Sequence, residues 1–223
     1  MYNFEILCLA NSRKLHGRCV AGLTREGEWI RPVGADDDGT LYARHYLLDT
    51  GDEAAVLDLV RVHVDQHVPE PHQPENWRVA NVQWQRLRQM TGDDARHFLH
   101  RHTEPGPELL GNRLDRVSWE YLTAAPASAS LALVEPRELR WHIRTSYSGN
   151  RQARALFNLA GQYYDLSITD PTWEARLGGL AYGVHPLEAG GLTGQEEIFL
   201  TISLSEPLIG YCFKLIASVI VIP

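Results

Sequence analysis

The sequence predicts a mainly β protein, built as two small β-barrels in tandem with a helical connector, and three observations carry that prediction. Strand-length runs rich in β-branched and aromatic residues occupy both ends of the chain. Helical patterning gathers mainly in the middle, and a stretch of small residues, Thr123 to Ser130 (TAAPASAS), reads as a linker between the two β-rich parts. Strands and helices do not alternate regularly, which argues against a doubly wound α/β sheet. A chain of 223 residues accommodates two domains of about 100 residues each, and 44% hydrophobic residues supply a core and exclude wholesale disorder. The expected boundaries are 1–87 for the first barrel, 88–126 for the connector and linker, and 127–223 for the second barrel. Spacing alone gives β, then helix, then β.

Taken in order, Tyr2 to Leu9 reads as an apolar strand, and Gly17 to Leu23 and Glu28 to Val33 as a hairpin about the turn Thr24 to Glu28, ended by Pro32. Ala35 to Thr40 (ADDDGT) is an acidic turn without the continuation a calcium loop needs. Ala55 to Val64 is the clearest strand of the first half. It runs into VPEPHQPENW, whose three prolines exclude helix and central strand. Thr91 to His102 predicts a helix, with Asp93 and Asp94 at its positive end and basic residues in its last turn. A second short helix is expected at Leu114 to Leu122. The β pattern resumes at Leu131 to Val134, Leu139 to Arg144, Gln162 to Ile168, Glu197 to Leu204 and Tyr211 to Ile222, with a short helix expected at Asn150 to Leu159. Gly179 to Gly194 is glycine-rich and reads as a flexible loop able to cover a ligand.

The chain is acidic, with 21 Lys plus Arg against 28 Asp plus Glu, yet positive charge gathers twice. Between Asn11 and Arg31 five cations face two acids, and from Arg137 to Arg154 five arginines face one acid. Each strip is interleaved with aromatics: Trp29 in the first, Trp141 and Tyr147 in the second. Arginine and aromatic side chains on a small barrel are the physical recipe for single-stranded nucleic acid, with bases on rings and guanidiniums on phosphates. The candidate binding residues are Ser12, Arg13, Lys14, Arg18, Trp29 and Arg31, with Arg144, Tyr147 and Arg151 as the other half of a shared cleft. Plainer readings stay open: Trp29 as core, and Arg31 as the partner of an acid in the turn that follows it. Gly17 and Gly22 fit a close backbone approach or a bulge.

The motifs SRKLHGRCVAGL with WIRPV, then HQPENW (His72 to Trp77) and the late YCFKLIASVI, resemble the bacterial dual-OB-containing domain family along essentially the whole chain. The resemblance implies two tandem OB-like small β-barrels that bind nucleic acid or a nucleotide-like ligand, and the arginine and aromatic strips make single-stranded nucleic acid the expected form. It implies no particular reaction. An alternative function is a sensor or enzyme acting on a small nucleotide or modified base, and a protein partner is a third possibility.

Catalytic signals are weak. His16 and Cys19 are an odd number apart on a strand and face opposite ways. His97, His100 and His102 share a helix but would need a third metal ligand from elsewhere. No catalytic residue, cofactor or metal is therefore assigned. Three scattered cysteines without a CxxC pair fit a reducing compartment. The longest apolar run is interrupted by Lys214, so the expectation is a soluble, cytoplasmic protein without membrane contact.

Overall fold

The first strand is pulled two ways. β1 (Tyr2–Lys14) runs further than its apolar core, because its first half pairs with β4 (Asp58–His67) and its second half with β2 (Gly17–Leu23). A register shift between Cys8 and Ala10 bends it between these partners. Gly22 sits at that bend, where a Cβ would lie 2.2 Å from the Leu7 carbonyl oxygen. β2 continues antiparallel to β3 (Trp29–Val33), which pairs in parallel with β5 (Asn76–Val79), and β5 returns to β4. The order β1-β2-β3-β5-β4 thus closes on β1, with β6 (Gln85–Gln89) added outside β4 and the short α1 (Ala43–Tyr46) between β3 and β4. The computed structural model describes residues 1–36 and 38–223. The acidic turn Ala35 to Thr40 is therefore described except for Asp37, which lies outside those residues.

The second half repeats the wiring. β8 (Leu131–Val134) pairs with β13 (Glu197–Leu204), and β9 (Arg137–Thr145) with β10 (Arg151–Leu159). β10, which spans Arg151–Leu159, pairs in turn with β11 (Gln162–Ile168), and β11 runs parallel to β14 (Tyr211–Ile222), which returns to β13. β8 and β9 are separated only by Glu135 and Pro136, so together they do the work of the single bent strand β1. α4 (Pro171–Arg176) lies between β11 and β13, in the place α1 holds in the first half. Two closed barrels of one topology, each with one parallel pair, make the molecule mainly β. Between them run α2 (Gly92–His102), β7 (Arg116–Ser118), which pairs with β14, and α3 (Trp119–Ala124). A last short strand, β12 (Gly183–His185), adds to the edge of β9.

The unbroken apolar run of β1 has a packing reason. Ile6 and Cys8 join the core of the first barrel with Val20, Ile30, Val62 and Trp84. The alternate residues Leu7 and Leu9 face the other way, into a second cluster with Leu133, Phe199, Ile220 and Ile222 of the second half and Ala95 and Leu99 of α2. β13 is shared in the same manner, with Ile198, Leu200 and Ile202 in its own barrel core and Phe199 turned to the seam. Both strands are buried on two faces; β13 keeps two polar residues on its seam side, Thr201 and Ser203, and Thr201 Oγ1 donates to the Leu9 carbonyl at 2.7 Å.

Four expectations change. Asn150 to Leu159 forms strand β10 rather than a helix: Ala155, Phe157 and Leu159 alternate into the core, and pairing with β9 and β11 overrides the helix preference of an alanine-rich stretch. Of Leu114 to Leu122, only the part from Trp119 is helical, because Arg116–Ser118 pairs with β14. The stretch TAAPASAS is tied down, with the Ala127 amide bonded to the Pro71 carbonyl at 2.9 Å and Ser130 fully buried. Gly179 to Gly194 contains β12 and a 3-10 turn, Leu187–Gly190, where a Cβ on Gly190 would collide with the Trp141 ring.

Candidate functional site

Parallel pairing of β3 with β5 sets Arg31 beside Asn76 and bonds its amide to the Glu75 carbonyl at 3.0 Å. The guanidinium is buried, so its charge requires a partner. Nε donates to Glu75 Oε1 at 3.2 Å, Nη2 to Ser130 Oγ at 2.7 Å and to Ser203 Oγ at 3.2 Å, and Nη1 to Cys19 Sγ at 3.7 Å. Glu75 Oε2 also accepts from the Ser130 amide at 3.2 Å. This network joins both barrels. It comes largely from HQPENW, in which His72, Gln73, Glu75 and Asn76 are all buried, while Trp77 packs edge-on against Tyr2 and Phe4.

Above the network opens a cleft of about 480 Å³. Ser12, Arg13, Lys14 and Leu15, at the end of β1 and its turn, form one wall, and Leu204 to Leu208, at the end of β13, form the other. Cys19, Arg31, Leu215 and Ala217 also line it. The turn tips carry exposed apolar residues, Leu15 at 69% and Ile209, next to Leu208, at 77% exposure. Both lie in the left-handed backbone region, at φ 47° and 51°. A leucine or β-branched residue there is strained, and such strain clusters at functional sites.

The cleft's cations are matched one by one. Arg13 meets Glu174 of α4 at 2.8 Å, and Lys14 meets Glu206 at 2.7 Å. Glu206 also bonds His72 Nε2 at 2.8 Å through its other oxygen. Burial alone would raise the Glu206 pKa, but hydrogen bonds from His72 and Lys14, together with their charges, outweigh it and hold the carboxyl down to about 2.

The family model of the dual OB-containing domain (DuOB) matches residues 4–219. The chain belongs to that family. No curated protein and no solved structure matches it. OB barrels take ligands on the face of their second and third strands and through the loops between strands one and two and between strands four and five. In this dual-OB chain the first such loop of barrel one, Leu15 and His16, faces the second such loop of barrel two, 205–210, across the cleft.

The dual-OB arrangement therefore brings Ser12, Arg13, Lys14 and Arg31 to one cleft. It does not bring the other candidates there. Arg18 pairs with Glu53 at 2.9 Å and lies over the Tyr46 ring. Trp29 packs partly buried against the seam between the barrels. Arg144 and Tyr147 stand exposed at the β9–β10 hairpin, and Arg151 is held by the carbonyls of Leu177 and Leu180 at 3.1 and 2.6 Å. Trp141 is fully buried, stacked on Trp173. Arg31 pairs with Glu75, not with the acidic turn after it. The histidines of α2 diverge: His97 bonds the Asp93 carbonyl, His100 bonds Glu197, and among the described residues no group of three metal-ligating side chains assembles. Glu206, Gln73 and Thr169 were not singled out from sequence; the one available signal was the Glu206-Pro207 turn between two long strands. Among the described residues no helix is long and apolar enough to cross a membrane.

Proposed function

We propose that this dual-OB chain binds a small, flat ligand of nucleobase size, free or within a nucleotide, in the cleft between its barrels. The carrying observation is the cleft itself: its volume of about 480 Å³ falls in the range of small-molecule sites, and apolar residues Leu15, Leu204, Leu208 and Leu215 line it together with polar groups, among them Ser12, Arg31 and Thr169. A phosphate chain needs unmatched cations, whereas Arg13, Lys14 and Arg31 each already meet a carboxylate. This supports the smaller ligand over a strand laid along the basic strip. OB barrels host many ligands, so the reading rests on the cleft and not on the fold.

The test is isothermal titration of the full chain with adenine, guanine, cytosine and their mononucleotides, beside a ten-residue oligothymidine. Saturable binding of a base or mononucleotide, weakened by Leu208→Asp, is expected. Binding by the oligonucleotide alone would overturn it. One observation favours the strand-binding reading: fully exposed Tyr147 stands beside Arg144, which makes no ion pair among the described residues. On that reading Tyr147→Ala weakens oligonucleotide binding and leaves base binding unchanged.

A further inference from the structure

The guanidinium of Arg31 is bonded unevenly. Its Nε donates to Glu75 Oε1, and Nη2 donates to the Ser130 and Ser203 hydroxyls, so this side of the fork meets oxygen throughout. Nη1 carries two further N–H groups, and among the described residues its one partner is the Cys19 sulfur at 3.7 Å. A thiol sulfur is a weak acceptor, and a charged donor held away from water without an oxygen partner is costly. One edge of this buried cation therefore keeps hydrogen-bonding capacity that the fold leaves unused.

That edge lies at the cleft. Arg31 and Cys19 both line it, whereas Glu75 and Ser130, which hold the rest of the fork, do not. Cys19 is only half-buried, so a molecule in the cleft reaches the place where Nη1 and the sulfur meet. Arg31 itself is 2% exposed, so it offers the cleft a recessed N–H edge rather than its whole fork. An acceptor has to project from its ring to reach such an edge, which a carbonyl oxygen does and a ring nitrogen does not. Charge narrows the choice further. Glu75 already neutralises the guanidinium at 3.1 Å, and Asp38 and Glu206 also line the cleft. An anionic group would be set against these carboxylates, whereas a neutral carbonyl accepts from Nη1 without adding charge. An exocyclic amine in the same place would set donor against donor.

We propose that Arg31 Nη1 is a specificity-determining donor of the cleft, reading a ring carbonyl and so selecting oxo-bearing heteroaromatic rings such as hypoxanthine over rings with an amine at that position, such as adenine. This rests on the reading of the cleft as a nucleobase-sized slot.

Isothermal titration of the full chain with hypoxanthine, unsubstituted purine and adenine tests it. Hypoxanthine should bind at least about tenfold tighter than adenine, with purine between them. Cys19→Ser gives Nη1 an oxygen partner within the chain, so the ratio of hypoxanthine to adenine affinity should fall toward one. Equal binding of the three bases by the wild-type chain, or a preference for adenine, would overturn the role of Arg31 and leave the reading of the cleft standing. Binding by none of the three would overturn both. A ratio that Cys19→Ser leaves unchanged would also overturn the proposal, since the carbonyl would then be read elsewhere.

Discussion

Arg31 and Glu75 are tied to each other and to both barrels, so removing one strands the other away from water. Arg31→Met should cost about 3–5 kcal/mol in urea denaturation, the range for breaking a buried pair. Adding Glu75→Gln should return a large part of that loss, because the second substitution removes the stranded charge. Glu206 makes a different prediction. Its carboxyl titrates at about 2 in the folded chain against the ordinary 4.5 unfolded, so between those values the unfolded chain binds the proton and the folded chain does not. Wild type should therefore be more stable than Glu206→Gln above pH 4.5, with the difference shrinking as pH falls toward about 2. Urea titrations of both chains across this window measure it; a difference that grows on acidification would rule out the ion pairs as its source.

Among the elements, the two turns at the cleft mouth are built from residues unsuited to them. Leu208 and Tyr211 bracket a two-residue turn, Ile209-Gly210, in which both residues have positive φ, a geometry that favours Asn, Asp or Gly at its first position. Ile209→Gly and Leu15→Gly should each stabilise the fold by about 1 kcal/mol in chemical denaturation, by relieving the left-handed conformation. The same changes should weaken base binding if the apolar tips grip the ligand. A loss of stability in both variants would show that the tips are held by packing instead. Turn chemistry of this kind was hard to read from sequence, since nothing in Leu-His or Leu-Ile-Gly announces a cleft. The hairpin Gly17 to Val33 and the long strands near both ends were legible, because their β-branched and aromatic residues cluster between turn signals. β10 was not, since its alternation begins only at Ala155 after an alanine- and arginine-rich start that suits a helix. For the site, the SRK end of β1 was found from its charge. The partner of Arg31 was not, because parallel pairing brings in Glu75 from 44 residues away.

At the scale of the molecule, the cluster shared by Leu7, Leu9, Leu133, Phe199 and Ile220 makes each barrel part of the other's packing. Thermal unfolding should then be one cooperative transition, with equal calorimetric and van't Hoff enthalpies. Two separated transitions would mean that the seam contributes little. Phe199→Ala, at the seam and outside either barrel interior, should cost about 3–5 kcal/mol and lower the whole transition rather than split it. The seam also has a consequence in time. β1 lies against β14, with Leu7 and Leu9 beside Ile220 and Ile222, roughly 200 residues later in the sequence. At translation rates of about 5–20 residues per second, β1 waits on the order of 10–40 s on the ribosome before β14 exists to cover it. For that interval the nascent chain carries a leucine face that its partner strand does not yet cover.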